Sequence, residues 1–461
     1  MKSTRCIHGR LLLSFAKFAS CAGLALLLIP VARGNDDLRG IVAMVDQGKL
    51  AEAERRLEAV LTSEPTSLPA LRLMGTVARR LGKPQQATQA LEKAHHLDPR
   101  NPAINTELIL LYGDLKQQRE AETLLQALLK SASYPDLMQA GAAFGESEAF
   151  TAARQAFERA AEMRPRSYDA LFNLAFAMFR EGNAGAALGV LNRIDHTEAE
   201  AHADYQQLRG RIELASGNLA DAAQHLERAL ALDPGNESVC VELGLLYFRR
   251  EAFSKAESVL DPCAARLPRS TPIRTALALN ELELGRYEDS AESFRKVLAL
   301  DPAADAAREA LAFLLYASGK LPQARQVLEE RLGGQHTDFF LYYLHALVLQ
   351  RIDANANRAA ICESLEQALR LNPRFAQGYL QRGRIRFGVG DTEGALQDFN
   401  MATQLDPNYA QPYFQLAQAY FKLGKKDEAK AAQQRFAALN KLQEEQEQKN
   451  QVENRVFQSL Q

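Results

Sequence analysis

Residues 202–234 read HADYQQLRGRIELASGNLADAAQHLERALALDP. Two apolar stripes at helical spacing are separated by Ser216, Gly217 and Asn218, and the second closes on Leu232, Asp233 and Pro234. Apolar residues three and four apart mark an amphipathic helix. Gly ends a helix by taking a left-handed conformation, and Pro ends one by pushing the residue before it out of the α region. The stretch predicts a helical hairpin followed by an abrupt stop.

The stop recurs along the chain. LEKAHHLDP (91–99), FRKVLALDP (294–302), LEQALRLNP (365–373) and FNMATQLDP (399–407) repeat it. From Pro65 to Pro99 is 34 residues, and so are the steps from Pro234 to Pro268, Pro268 to Pro302 and Pro373 to Pro407. A fixed period of this size means stacked supersecondary units. Twelve units fit, beginning near Gly34, Leu68, Pro102, Tyr134, Tyr168, Ala203, Glu237, Thr271, Asp305, Phe339, Ala376 and Ala410. The third is short, the fifth one residue long, and the tenth is lengthened around IDANAN.

Within the frame the eighth place is Gly or Ala in ten of twelve units, among them Gly75, Gly141, Gly210 and Gly383. The twentieth is Ala in ten, Ala87, Ala222 and Ala395 among them, with departures at Ile41 and Ile109 in the eighth place and Ser290 in the twentieth. Between these places lie Gly48, Gly82, Gly182, Gly217, Gly285, Gly319, Gly390 and Gly424. Helices approach closely only where small side chains face each other, so these places mark where the two helices of each hairpin cross.

On these residues the chain resembles a tetratricopeptide repeat protein, over nearly all of residues 34–440. The clearest copies are 202–234 and 377–407, QGYLQRGRIRFGVGDTEGALQDFNMATQLDP. The resemblance implies an all-α fold, a right-handed superhelix (α-solenoid) of helix-turn-helix repeats. Composition agrees: hydrophobic residues are 47% of 461, Trp is absent, and Ala, Leu, Gln, Glu and Arg, all helix formers, dominate. The expected organisation is a leader over 1–34, N-terminal repeats over 35–201, central repeats over 202–338 and C-terminal repeats over 339–435. A polar capping helix or tail follows over 436–461, with Val452, Val456 and Leu460 on one stripe as an alternative partner-binding face.

Residues 1–34 carry Lys2, Arg5, Arg10, Lys17 and Arg33 and no acid, followed in part by the apolar run FASCAGLALLLI and then by Ala32 and Gly34 two apart. A basic segment, a short apolar run and a small-x-small site form a secretory signal, cleaved before Asn35. The run is shorter than the roughly 20 residues of a membrane-spanning helix, and an uncleaved anchor over Leu11–Ala32 would have to carry Lys17. Removing five basic residues and no acids from 55 Lys+Arg and 57 Asp+Glu leaves a net charge of −7. That balance offers no general attraction for nucleic acid. Three cysteines remain, Cys240, Cys263 and Cys362, without Cys-x-x-Cys spacing; buried free thiols are the first reading and a single bridge the alternative.

No hydrolase, zinc-protease, P-loop or dinucleotide motif is present, and no cofactor is expected. The one metal candidate is DHTEAEAHAD, with His196 and His202. A capping box from Thr197 to Glu200 explains the same residues as a helix start, leaving an enzyme accessory with a metal near His196 and His202 as the alternative function.

In this family the first helix of each repeat lines the concave groove. The resemblance therefore places Phe172, Phe176, Phe179 and Arg180 inward in the fifth unit, and Val241, Leu245, Phe248 and Arg249 in the seventh. Phe313 and Tyr316 follow, then Phe340 and Tyr343, Arg384 and Phe387, and Phe414, Gln418, Phe421 and Lys422. Arg72, Arg79 and Arg80 add a basic spot. Aromatics interleaved with arginines suit an extended or helical peptide. The expected function is a non-enzymatic scaffold or adaptor for protein partners. Its place is the periplasm or secreted space of a bacterium, in assembly of a pilus, outer-membrane or polysaccharide-export complex.

Overall fold

The computed structural model describes residues 36–334 and 337–459, and every regular element among them is an α-helix. The leader and its cleavage site lie outside the described residues, as does Leu460; the side chains of Val452 and Val456 do too. The helices alternate as first and second arms of hairpins. The first arms open at Leu68, Pro102, Tyr134, Tyr168, Ala203, Glu237, Thr271, Asp305, Phe339, Ala376 and Ala410, each where the period places it. The earliest described arm is Asp36–Asp46.

The chain divides into two compact units at Tyr247 and Phe248. In the N-terminal unit arms such as Leu68–Arg80 and Pro84–Leu97 pack on each other as hairpin partners, Pro84–Leu97 packs on the next arm Pro102–Asp114, and the first arms Leu68–Arg80 and Pro102–Asp114 also touch one another. Its core runs through Leu57, Met74, Leu91, Leu108, Leu137, Phe144, Leu171 and Leu191. The C-terminal unit repeats the scheme, with Asp305–Ala317 touching Phe339–Asp353 and a core through Phe294, Leu311, Leu344, Leu365 and Phe399. A hairpin has no core of its own; it is stable because its neighbours cover both of its faces.

The turn chemistry follows the sequence closely. The residue before the helix-ending proline leaves the α region, with φ −143° and ψ 86° at Asp98, −130° and 84° at Asp233, and −134° and 87° at Asn372. Its carboxylate or amide oxygen accepts the backbone N–H two residues on: Asp233 from Gly235 at 3.1 Å, Asp301 from Ala303 at 3.0 Å, Asp406 from Asn408 at 3.1 Å. At Asp233, Asp301 and Asp406 the Leu-Asp-Pro stop therefore carries its own internal hydrogen bond, while Asp98 accepts from the Asn101 side chain at 3.1 Å instead. Inside the hairpins, all eight glycines of the interhelix turn have positive φ, from 69° at Gly82 to 90° at Gly390. Lys116, Glu148 and Glu251 hold the same left-handed position without being glycine.

The crossing points are tight. A Cβ on Gly75 would lie 2.3 Å from Leu91 Cγ, and one on Gly383 would lie 2.5 Å from Phe399 Cε1. At the departure Ser290 the hydroxyl is fully buried and donates to the carbonyl of Ala278 at 2.7 Å, so the close approach is kept and its polar atom satisfied.

Three features differ from the regular frame. Two second arms are short, Ala184–Leu191 and Leu321–Glu329. After the first comes a one-turn helix, His196–Glu200, opened by Asp195, whose carboxylate accepts the Thr197 N–H at 2.9 Å. The cap is thus Asp195 rather than Thr197. After the second, Gly333 takes φ 80°, and the next first arm opens at Phe339. The third feature concerns cysteine: Cys240 and Cys263 are buried but both disulfide-bonded, while Cys362 is free. Bridging depends on where folding brings sulfurs together, which spacing along the chain does not display.

Candidate functional site

The first arms carry residues of the expected groove, and the two units treat them differently. In the N-terminal unit, Phe172, Phe176 and Phe179 sit on Tyr168–Arg180 and pack, half-buried, against a core containing Leu171, Leu174 and Ala175. Tyr168 stacks on Phe172 with centroids 5.6 Å apart. Arg180 lies 4.2 Å from the centroid of Phe150 and 5.8 Å from that of Phe176, with Glu148 at 3.9 Å. These rings pack on a core cluster that runs from Ile109 to Ile212. Val241 and Leu245 are half-buried beside Leu243 and Leu246, which are buried, and Arg249 is exposed. In the basic spot, burial lowers the Arg72 pKa, opposed by Glu107, and Arg79 pairs with Asp114 at 3.2 Å.

The C-terminal unit gathers more of the expected residues. Phe248 meets Phe253 edge-on at 5.6 Å, and Phe313 is half-buried on Asp305–Ala317. The guanidinium of Arg351, on the next first arm, lies 4.8 Å over the Tyr316 ring and donates to the Tyr316 carbonyl at 2.7 Å. Tyr343 lies 5.6 Å from Phe340 and 4.9 Å from Phe375, and Phe375 is 5.0 Å from Phe339. Burial, and then the neighbouring Tyr409, push the Tyr343 pKa up to about 12, so its phenol stays protonated at physiological pH. Arg384 donates to the Gln411 side-chain oxygen at 3.2 Å. Lys422 lies 4.8 Å over Phe387. Phe414 packs on Phe436 at 5.3 Å and keeps 39% exposure; Phe421 is 74% exposed and Gln418 is exposed.

Two members of this surface were not picked from sequence. Phe375 sits in the turn before Ala376–Gly388, outside the repeat places taken as groove-lining. Arg351 does occupy such a place, the thirteenth of its unit, but its role shows only in its reach back to Tyr316. Beneath the surface the carboxylate of Asp398, buried in the second arm Thr392–Leu405, accepts from Arg382 at 2.6 and 3.0 Å and from Arg386 at 3.1 Å. This charge-assisted bonding raises the Arg382 pKa.

The metal alternative named His196 and His202. His202 stacks on Tyr168 at 4.2 Å and lies 3.8 Å from Asp204. The His196 side chain lies outside the described residues. Among the described residues no group of three or more His, Cys, Asp or Glu is placed to hold a metal, and no helix is long and apolar enough to cross a membrane.

Models of known families match most of the chain. A family described as tetratricopeptide repeat matches residues 78–133, 146–212, 213–279 and 281–344; others so described match 42–102 and 410–441, and one described as TPR repeat matches 383–424. A curated human protein, protein O-mannosyl-transferase TMTC3, is 20% identical over 319 residues; the match spans 68% of this chain but only 31% of that protein's length. Among solved structures, a tetratricopeptide repeat protein from Parabacteroides merdae is 19% identical, with 62% of this chain and 98% of that one covered and a TM-score of 0.38. The C-terminal part of a TPR repeat-containing protein from Cytophaga hutchinsonii is 17% identical over 50% and 93%, with a TM-score of 0.41. YrrB, described as a TPR protein with an unusual peptide-binding site, is 19% identical over 41% and 92%, with a TM-score of 0.32.

Proposed function

The chain belongs to the tetratricopeptide repeat family, whose repeats support a protein-interaction scaffold; from that premise we propose that it is a non-enzymatic scaffold exported to the cell envelope. It holds a peptide or helix of another protein on the face made by the first arms of its C-terminal unit. The observation that carries this reading is the aromatic and cationic surface from Tyr316 and Arg351 to Phe421 and Lys422, on which Phe421 is 74% exposed. A large ring left in water, beside others covered only in part, is what a partner would cover.

Export is supported by the leader-like composition of residues 1–34 and by the disulfide-bonded state of Cys240 and Cys263, since disulfides persist in oxidising compartments. Mannosyl transfer belongs to the name of a relative of which this chain spans 31%, and enters the reading of this chain no further.

The test has two parts. N-terminal sequencing of the protein recovered from its host is expected to begin at Asn35; an intact Met1 would refute cleavage. Tagged protein is expected to hold a partner that is lost in Phe387→Ala/Phe421→Ala with an unchanged helical melting curve. Equal recovery by parent and variant would move the binding surface elsewhere.

A further inference from the structure

The last helix outruns its hairpin. Ala410–Lys422 has 13 residues and its partner Lys426–Ser459 has 34, so at about 1.5 Å per residue they are roughly 20 Å and 51 Å long. Ala429, Ala432 and Leu439 of the longer helix are buried, and Phe436 lies 5.3 Å from Phe414 of the shorter one. These residues mark the face turned to Ala410–Lys422. At about 100° per residue, Ala438 and Leu442 project from another side of the helix, and both are exposed, Leu442 by 59%. Residues 440–459 run on past Leu439, the last buried position described. A polar helix of that length is marginal alone in water, so its continuation calls for a second helix beside it.

We propose that this second helix is the same helix of another copy of the chain, paired antiparallel. The sequence continues the exposed stripe with a strict spacing: from Ala438, steps of four and three residues lead to Leu442, Glu445, Lys449, Val452 and Val456. Alternate steps of four and three are the seam of a coiled coil. The two charged places inside the seam choose the occupant. In a parallel pair of copies Glu445 would face Glu445 and Lys449 would face Lys449. In an antiparallel pair Glu445 faces Lys449 of the second copy on both sides of the twofold axis. The same register sets Leu442 against Val452 and Ala438 against Val456, whereas sliding by one heptad sets Leu442 against Glu445 or Val452 against Lys449. The stripe thus complements itself in one orientation and one register, as an isologous interface requires. Glu445 and Lys449 also stand four apart on one helix, a favourable spacing, but that pairing leaves the apolar places of the stripe unexplained.

The test runs the full chain through size exclusion with light scattering over a range of concentrations. The parent is expected to reach twice the chain mass, and Leu442→Glu/Val452→Glu to stay at the single mass with an unchanged melting curve. Glu445→Lys and Lys449→Glu should each be monomeric alone and dimeric when mixed, because only the mixture restores opposite charges across the seam. Orientation is read from cysteines. Oxidation of Leu442→Cys mixed with Val452→Cys should give a crosslinked dimer and neither variant alone should, with the parent as the control for Cys362. A dimer that Leu442→Glu/Val452→Glu leaves intact would overturn the proposal, and so would Leu442→Cys crosslinking to itself, which would make the copies parallel. A parent that is monomeric at every concentration would also overturn it, and a photo-crosslink from Leu442 to another protein in the host would then give the stripe a different occupant.

Discussion

Gly141 and Gly40 are both inside first arms, yet alanine should act on them with opposite sign. A Cβ on Gly141 would lie 2.6, 2.7 and 2.9 Å from Cε1, Cζ and Cδ1 of Phe157, where ordinary contact begins at 3.4 Å. Phe157 is itself part of the core, between Ala153, Ala156 and Ala160, so it cannot swing away freely. Overpacking of this kind costs about 1–3 kcal/mol, against about 1 kcal/mol gained from better helix propensity. The expected net loss for Gly141→Ala is therefore about 1 kcal/mol. A Cβ on Gly40 meets nothing within 4 Å, so Gly40→Ala should gain about 0.5–1 kcal/mol. Urea unfolding followed by circular dichroism, with hydrogen exchange of residues 134–163 to localise the effect, reads both. Phe157→Leu should make room, so Gly141→Ala in that background should cost about 1 kcal/mol less than alone, a coupling typical of residues in contact. If Gly141→Ala stabilises the chain as Gly40→Ala does, the small eighth place is not what brings the hairpin arms together.

Other expectations follow from turns, histidines and sulfur. Lys116 holds φ 59° where eight other hairpins have Gly, so Lys116→Gly should raise stability by about 0.5–1 kcal/mol in the same assay, the left-handed penalty less the extra freedom of an unfolded glycine. His345 is buried with Nδ1 2.9 Å from Ser364 Oγ, and burial lowers its pKa, opposed by Glu329. The unfolded chain takes up this proton near pH 6.5 and the folded chain only at lower pH, so stability should fall as pH drops from about 7.5 to 5. His345→Gln should show a shallower decline than the parent when melting temperatures are compared across that range. Reduction of Cys240 and Cys263 should lower stability by about 2–4 kcal/mol, visible as a lower melting temperature in a reducing buffer; equal melting temperatures would argue that the sulfurs are not bridged.

The repeat was legible in the sequence because its signals are local. Proline fixes the non-helical backbone of Asp233, Asn372 and their counterparts, and glycine fixes the left-handed turn, whatever surrounds them. First arms accordingly begin at Leu68, Tyr168 and Ala410 as the period requires. The short arm Ala184–Leu191 was not legible, since its end depends on how Asp195 caps the following turn. The candidate surface was legible as a set of places along the first arms, not as contacts. Phe172 and Phe387 both pack partly buried on a core cluster, yet one stacks on Tyr168 while the other carries Lys422 over its ring. Which neighbours a ring meets depends on side chains up to 35 residues away, as Arg351 on Tyr316 illustrates.

The central claim, that first arms of the C-terminal unit form the working face, is tested most directly by site-specific photo-crosslinking in the host cell. A benzophenone side chain would be placed at Tyr343, Phe387 or Phe421 on first arms, and at Arg370 or Gln397 on second arms. Crosslinks to one and the same protein from the first-arm positions, with none from Arg370 or Gln397, are the predicted result. Crosslinks from the second-arm positions alone would contradict it.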